Sequence, residues 1–288
     1  MNLLLAGIFF FFTFLFGLLP FRVLYIISDI ISFILHRVVG YRKKVVLKNL
    51  NDCFPGMEEA EQKKLLKAIY RNLSDILVES IKSFGMSAKQ IKKRYKVLNV
   101  ELIEKYLEQG RSVMGLPAHF NNWEWGSLAP GLYTNYPIIA LYKPLTNKYL
   151  DNFIRKSRSK FGTSLSSIYV TGITFRANEK IPSIYVLAAD QSPTNSAKSY
   201  WVDFLGRDTA FLHGPEKYSR HYNMVVLYAD VQRVKRGHYT LELSLISDDP
   251  KFLPEGEVTR QYAKKLEEAI LKTPGSWLWS HKRWKLSR

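Results

Sequence analysis

The chain of 288 residues contains a single cysteine, Cys53, and this scarcity excludes several kinds of site. One thiol cannot form an internal disulfide, and no zinc site can be built on thiolates. The sequence also lacks a G-x-S-x-G elbow, a P-loop and a G-x-G-x-x-G fingerprint, so a hydrolase serine and the common nucleotide-binding motifs are unsupported. A metal site on His119 and Glu124 would need a third ligand, and none stands at a recognisable spacing.

Residues 1–21 contain no charged side chain. An α-helix rises about 1.5 Å per residue, so about 20 apolar residues span the ~30 Å hydrocarbon layer of a membrane. We therefore expect residues 1–21 to form a retained transmembrane anchor, with residues 22–38 as a possible interfacial helix. A signal peptide is less well supported, because the segment has no basic start and no small-x-small cleavage site.

Positive charge exceeds negative charge in the rest of the chain. Lys and Arg number 42 against 25 Asp and Glu, a formal net charge of +17. Residues 36–100 carry 15 basic and 6 acidic residues directly after the apolar start. Basic residues at that place predict that the body lies on the cytoplasmic side, and the overall charge predicts acidic partners or an anionic membrane surface.

Hydrophobic periodicity predicts a single α/β domain over residues 39–288. Residues 58–84 follow a helical period, and a second helix is predicted over residues 258–271. Short apolar runs predict strands at residues 113–116, 138–142 and 183–189, and residues 224–246 are typical of a β-hairpin. This alternation indicates a mixed β-sheet flanked by helices, preceded by a helical N-terminal section.

The segment of residues 118–126 carries the strongest indication of chemistry. His119 follows a predicted strand and a proline, so we expect it on a loop at the carboxyl end of the sheet. Glu124 falls about one turn inside the next predicted helix. A carboxylate that fixes the tautomer of an imidazole prepares it to take a proton from a hydroxyl. The H-x4-E spacing alone is weak, and a capping His with an exposed Glu is equally consistent with it.

Three further clusters each have more than one interpretation. Lys143 and Arg158 belong to a basic stretch that suits either phosphate binding or a solvated helix face. Asp190 at a predicted strand end suits either an Asx turn or the wall of an active site. Residues 277–285 interleave tryptophan with cations, as at membrane interfaces or on single-stranded nucleic acid; packing of the tryptophans in the core is the third possibility.

Taken together, these segments resemble the bacterial late acyltransferases of lipid A biosynthesis, the lauroyl and myristoyl transferases. The resemblance covers most of the chain and rests on an ordered set of short segments. They are Tyr41-Arg42, Asn49-Leu50, Cys53-Phe54-Pro55, residues 119–124, Tyr142-Lys143-Pro144, Asn147, Arg158, Gly162, Gly172-Ile173, Phe175-Arg176, Asp190-Gln191, Phe204-Leu205-Gly206 and residues 277–285. The family often has Arg where this chain has Lys143.

The resemblance implies a glycerolipid-acyltransferase-like fold and a membrane-bound O-acyltransferase. Such an enzyme sits in the bacterial inner membrane as a single-pass protein with its catalytic domain in the cytoplasm. It moves a fatty acyl chain from acyl carrier protein to a hydroxyl of a phosphorylated lipid A precursor in lipopolysaccharide biosynthesis. The partners implied are acyl carrier protein, the glycolipid acceptor and the anionic membrane, with no nucleic acid and no cofactor beyond the acyl thioester as co-substrate.

The resemblance also assigns roles to particular residues. His119 would be the catalytic base and Glu124 its partner. Arg158 would contact a substrate phosphate or the developing oxyanion, and Lys143, Asp190 and Asn122 would be further substrate-binding residues.

Other functions stay open at this point. A related acyltransferase could use an aminolipid or another lysolipid as acceptor, and coenzyme A could replace acyl carrier protein as donor. A membrane-tethered nucleic-acid-binding protein or a non-catalytic envelope assembly protein would leave His119 and Glu124 idle, so loss of Glu124 would not change its function.

Overall fold

The first two helices of the protein are joined by a sharp bend. The computed structural model describes residues 3–288, so the first two residues of the predicted anchor lie outside the described residues. Helix α1 spans Leu3–Leu18 and α2 spans Phe21–Phe33, continued by a π-helical turn at Ile34–Val38. Pro20 has an extended backbone and separates the two helices.

In the described part of the chain, no single helix is long and apolar enough to cross a membrane. The segments Phe11–Leu18 and Phe21–Val38 reach that length and composition only together, and they are bent by 120° where they meet. Residues 1–21 are thus helical over most of their length, and the transmembrane anchor stays a prediction.

Three helices complete the N-terminal section: α3 at Lys43–Cys53, α4 at Glu59–Ser83 and α5 at Ala88–Arg94. Helix α4 is the longest of them, and its buried side carries Leu66 and Ile69 at the three-residue step that the sequence predicted. Helix α5 begins with a capping box, in which Ser87 and Gln90 satisfy each other's backbone N–H groups.

A seven-stranded mixed sheet forms the centre of the protein, as the sequence predicted. Its strands are β1 Tyr95–Val97, β2 Val113–Leu116, β3 Ile138–Tyr142, β4 Thr163–Ser167, β5 Ile184–Val186, β8 Val225–Lys235 and β9 His238–Ser247. Their order is β1-β9-β8-β2-β5-β3-β4, and all neighbours are parallel except β8 and β9, which form the predicted hairpin. A separate antiparallel pair consists of β6 Ser199–Phe204 and β7 Arg207–Leu212.

Helices cover both faces of the sheet, because side chains along each central strand alternate between the two faces. In β2, Met114 and Leu116 pack into one core cluster and Val113 packs into the other. The covering helices after residue 100 are α6 Glu101–Glu108, α7 Trp123–Leu128, α8 Lys148–Arg158, α9 Thr171–Ala177, α10 Gly214–His221 and α11 Glu257–Lys272.

A buried carboxylate on α4 ties the N-terminal helices to the β8–β9 hairpin. Both oxygens of Asp75 accept hydrogen bonds from Arg236, at 2.6 to 3.0 Å, and Arg233 and Ser28 donate to it as well. The same Arg236 guanidinium also donates to Asp29 of α2. Two arginines therefore neutralise a carboxylate that is fully removed from solvent.

We predict that Asp75→Ala lowers the free energy of unfolding by about 3–5 kcal/mol, because it leaves two half-buried guanidinium groups without their shared anion. Thermal unfolding in detergent, followed by tryptophan fluorescence, measures the change. Glu61→Ala on the exposed side of the same helix is the control and should cost less than about 0.5 kcal/mol. Equal midpoints for the two variants would contradict the prediction.

Candidate active site

Two loops meet at the carboxyl edge of the sheet and bring His119 to Asp190. Two residues separate His119 from the end of β2, and three residues separate Asp190 from the end of β5. Strands β2 and β5 are parallel neighbours, with Val113 opposite Ile184. Their carboxyl ends therefore open at the same edge, which is the usual place of active sites in sheets of this kind.

The Asp190 carboxylate holds His119 through two hydrogen bonds. Oδ1 lies 2.7 Å from the ring Nδ1, and Oδ2 accepts the backbone N–H of His119 at 2.9 Å. The indole Nε1–H of Trp277 donates to Oδ2 as well, at 3.0 Å. Asp190 is only 2% exposed, so its charge is compensated almost entirely by these donors and by the imidazole.

This arrangement leaves the second ring nitrogen as a proton acceptor. Since a carboxylate only accepts hydrogen bonds, the proton of the neutral imidazole sits on Nδ1 and the lone pair on Nε2. The amide nitrogen of Gln191 lies 3.2 Å from Nε2 and can donate to it. The His119 side chain is 23% exposed, and a substrate hydroxyl that displaces the Gln191 amide would take its place beside Nε2.

Charge around His119 moves the pKa values of the pair in opposite directions. Burial alone would lower the pKa of His119, but the charge and hydrogen bond of Asp190, with a smaller attraction from Glu124, raise it above 6.5. Burial raises the pKa of Asp190, yet the His119 charge and the hydrogen bonds outweigh it and lower that pKa to about 2. The pair thus stabilises the imidazolium that forms when Nε2 takes a proton.

Glu124 does not hold the His119 ring, contrary to the predicted pairing. Its carboxylate is bound by the guanidinium of Arg158, with Nη2 at 2.6 Å and Nε at 3.0 Å. Trp123 donates to the same carboxylate at 3.2 Å and packs edge-on against His119. Glu124 lies in the first turn of α7 and bonds Arg158 of α8, while Asp190, in the segment after β5, bonds the ring. The orienting role therefore falls to Asp190, which the sequence placed among the substrate contacts.

The structure also corrects the prediction for Asn122. Its side chain is completely buried and caps α7, accepting the Trp125 N–H at 2.8 Å and donating to Glu79 at 2.6 Å. Both ends of the amide are thus occupied within the protein, and Asn122 positions the helix that carries Glu124 instead of reaching a substrate. Lys143, by contrast, is exposed just beyond β3 at the same edge of the sheet.

The C-terminal tryptophans belong to the wall of the site. Trp277 pairs with Phe120 in an isolated β-bridge, and both Trp277 and Trp279 are buried. His281 accepts the Ser192 N–H through Nε2, and burial lowers its pKa to about 4, so it stays neutral. Core packing is therefore the correct interpretation for Trp277 and Trp279, because buried indoles cannot stack on bases.

The described residues contain no group of three His, Cys, Asp or Glu side chains that could hold a metal ion. The site combines a His–Asp pair, whose second imidazole nitrogen lies beside the Gln191 amide, with an Arg–Glu ion pair. On a mixed α/β sheet, such groups are typical of enzymes that activate a hydroxyl by general-base catalysis.

Comparison with known proteins makes this class specific. The model of the bacterial lipid A biosynthesis acyltransferase family matches residues 3–286, so the chain belongs to this family and is an acyltransferase. It is 24% identical over 269 residues to a lipid A biosynthesis palmitoleoyltransferase of Escherichia coli, covering 93% of this chain and 86% of that protein. It is likewise 24% identical to the lauroyltransferase of the same organism, over 93% and 87% of the two chains. A lipid A biosynthesis acyltransferase of Haemophilus influenzae has the same identity over 253 residues, 87% of this chain and 80% of that protein.

We predict that Asp190→Asn lowers kcat/KM for acyl transfer at least ~10²-fold, since an amide cannot stabilise the imidazolium. Neutral His119 is the active form, so activity is lost as the pH falls through its pKa. Removing the Asp190 charge lowers that pKa, and the acid limb of the pH profile should move to lower pH. Steady-state rates across that limb measure both effects, with the exposed Asp203→Asn as control. An unshifted limb would show that Asp190 does not set the pKa of His119.

Proposed function

We propose that this protein transfers a fatty acyl chain from acyl carrier protein to a hydroxyl of a lipid A precursor, at the cytoplasmic face of the inner membrane. The observation that carries this proposal is the His119–Asp190 pair at the carboxyl edge of the sheet, which leaves Nε2 as a hydrogen-bond acceptor, in a chain of this family.

The acyl transfer consists of two proton movements through His119. Nε2 removes the proton from the acceptor hydroxyl as its oxygen attacks the thioester carbonyl, which forms a tetrahedral oxyanion. Collapse of this intermediate forms the ester and breaks the carbon–sulfur bond. The imidazolium returns the proton to the departing thiolate, so His119 ends neutral and the products are an acylated lipid and a free thiol.

The Arg158–Glu124 pair supplies positive charge next to this reaction. Nε and Nη2 of Arg158 bind Glu124, and within the described residues Nη1 has no hydrogen-bond partner. A guanidinium fixed in this way can donate from Nη1 to the oxyanion or to a phosphate of the acceptor without losing its orientation. Glu124 is thus the residue that orients Arg158, and its charge also favours the imidazolium of His119.

Exposed cations support an acidic donor and a phosphorylated acceptor. Acyl carrier protein is acidic and the lipid A precursor carries phosphates, so the net charge of +17 raises the encounter rate with both. Lys143 lies at the edge where both substrates must arrive. The relatives named for palmitoleoyl transfer and for lauroyl transfer are both 24% identical to this chain, so identity favours neither acyl chain.

An apolar crevice beside the site offers a path for the acyl chain. It is lined by Ile69 and Ile76 of α4 together with Trp123, Trp277 and Leu278. Its volume is only about 10 Å³, room for roughly one water molecule, so an acyl chain that enters it must displace side chains of its walls.

The exposed apolar faces of α1 and α2 support attachment to the membrane. On α1 the side chains of Phe11, Phe12, Phe14 and Leu18 are exposed, and on α2 those of Ile26, Ile30 and Phe33 are exposed. A protein in water rarely leaves so much contiguous apolar surface uncovered. Burial of these faces in lipid would hold the catalytic body at the bilayer, next to its acceptor.

We expect the purified protein to add one acyl chain to a tetra-acylated lipid A precursor when it is given acyl carrier protein charged with mixed-length chains. Mass spectrometry of the extracted lipids detects the gain and identifies the preferred length. A lyso-aminolipid and acyl coenzyme A, each supplied in parallel, test the alternative acceptor and donor, and His119→Ala is the inactive control.

Addition of an acyl chain to the lyso-aminolipid alone would show that the acceptor is an aminolipid and would contradict the lipid A proposal. The absence of any gain with folded protein would contradict acyl transfer itself.

A double-mutant cycle tests the unit formed by Glu124 and Arg158. We expect Glu124→Ala and Arg158→Ala each to lower kcat/KM at least ~10²-fold, and the double variant to lose little more, because the two residues act together. Lys156→Ala, on the exposed side of the same helix as Arg158, is the matched control. Fully multiplicative losses would show that the two side chains act independently.

A further inference from the structure

An apolar turn lies at the carboxyl edge of the sheet, the same edge as the active site. It follows β4 and comprises four exposed side chains: Ile168, Tyr169, Val170 and Ile173. Tyr169 and Ile173 are each 71% exposed. Leu145, exposed in the neighbouring loop after β3, extends this surface, because Tyr142 pairs with Ser167 where the two strands end. We call the four residues with Leu145 the apolar turn.

Three hydroxyl side chains form hydrogen bonds with backbone groups of the apolar turn. The Ser167 hydroxyl accepts the Tyr169 N–H at 3.2 Å, and the Thr171 hydroxyl donates to the Ile168 carbonyl at 2.8 Å. Thr174 donates to the Val170 carbonyl at 3.1 Å and is itself bonded to Ser166. A loop that enters a bilayer must satisfy its polar backbone within the protein, and these three hydrogen bonds do so for the Tyr169 N–H and for the carbonyls of Ile168 and Val170.

The charge around the apolar turn is strongly positive. Residues 143–180 contain eight Lys and Arg against two acidic residues, Asp151 and Glu179. Asp151 is engaged by the Tyr142 hydroxyl and the Leu145 N–H. Lys143, Lys148 and Arg176 are exposed close to the turn in sequence. Apolar side chains and a tyrosine among exposed cations suit the interface of an anionic bilayer.

We propose that the apolar turn inserts into the surface of an anionic bilayer and forms a membrane contact separate from α1 and α2. The inference rests on the proposed function, because it explains how a lipid acceptor reaches His119. Strands β2 and β4 are three positions apart in the sheet, so the turn lies about 14 Å to the side of the His119 loop at strand spacings of ~4.8 Å. An acceptor lipid can then present its hydroxyl to Nε2 without leaving the bilayer.

Site-directed fluorescence in full-length protein tests the proposal. Ile173→Cys is labelled with an environment-sensitive fluorophore, and the protein is reconstituted into anionic vesicles that contain a lipid-borne quencher. Phe252→Cys is the matched control, because Phe252 is 80% exposed in the segment after β9, at the opposite edge of the sheet. Burial raises the pKa of the native Cys53 thiol to about 12, so little of it is the thiolate that reacts with the label. Labelling of the unsubstituted chain measures what remains of this background.

We expect a blue shift and quenching at position 173 but not at position 252. Equal exposure to water at both positions would overturn the proposal. Protection of position 173 by added acyl carrier protein, without quenching from the lipid, would assign the surface to an acidic protein and overturn it as well. The quenching requires no catalysis, so a failure of the proposed acyl transfer would not affect this result.

Activity in two media gives an independent readout. Ile173→Asp should lower the rate of transfer onto an acceptor embedded in anionic vesicles about tenfold. This is the change in membrane affinity expected when one isoleucine side chain is no longer buried in lipid. Transfer onto the same acceptor in detergent micelles should be unchanged, and Phe252→Asp should change neither. Equal losses in vesicles and micelles would show a structural defect and contradict a membrane contact.

Discussion

The active site depends on one buried carboxylate, that of Asp190. It binds the backbone and the ring of His119 after β2, and it accepts the indole N–H of Trp277 from the C-terminal segment. The segment after β2 and the C-terminal segment therefore meet at the two carboxylate oxygens of Asp190. Because the group is removed from solvent, each of these donors is needed to compensate its charge. The same charge fixes the tautomer of His119 and raises its pKa, so the stability of the site and its reactivity have one physical origin.

Another buried carboxylate connects the N-terminal helices to this site. Glu79 of α4 accepts hydrogen bonds from Tyr25 of α2 at 2.8 Å, from Tyr239 of β9 at 2.7 Å and from the α7 cap Asn122 at 2.6 Å. Helix α7 in turn carries Glu124, which holds Arg158. The polar interior of the protein is thus arranged along α4, between the helices with exposed apolar faces and the edge of the sheet where the chemistry takes place.

Much of the fold could be predicted from the sequence, because its signals are local. The period of α4, the strands around residues 113–116 and 138–142, and the β8–β9 hairpin are each set by nearby residues. Strands β1, β4, β6 and β7 were not predicted, and the sequence indicated Glu124 as the partner of His119. Asp190 stands 71 positions from His119, and the order of strands alone brings the two together. No spacing rule contains that information, although the position of Asp190 after a predicted strand gave a partial signal.

Nitrogen NMR of the His119 ring tests the central claim most directly. The protein contains six histidines, so His119→Gln assigns the signal. We expect the neutral ring to be protonated on Nδ1 and its pKa to lie above 6.5. Asp190→Asn should lower this pKa, and Glu124→Gln should lower it less. A ring protonated on Nε2, or a larger fall in the Glu124 variant, would contradict the assignment of Asp190 as the residue that prepares His119 to take a proton.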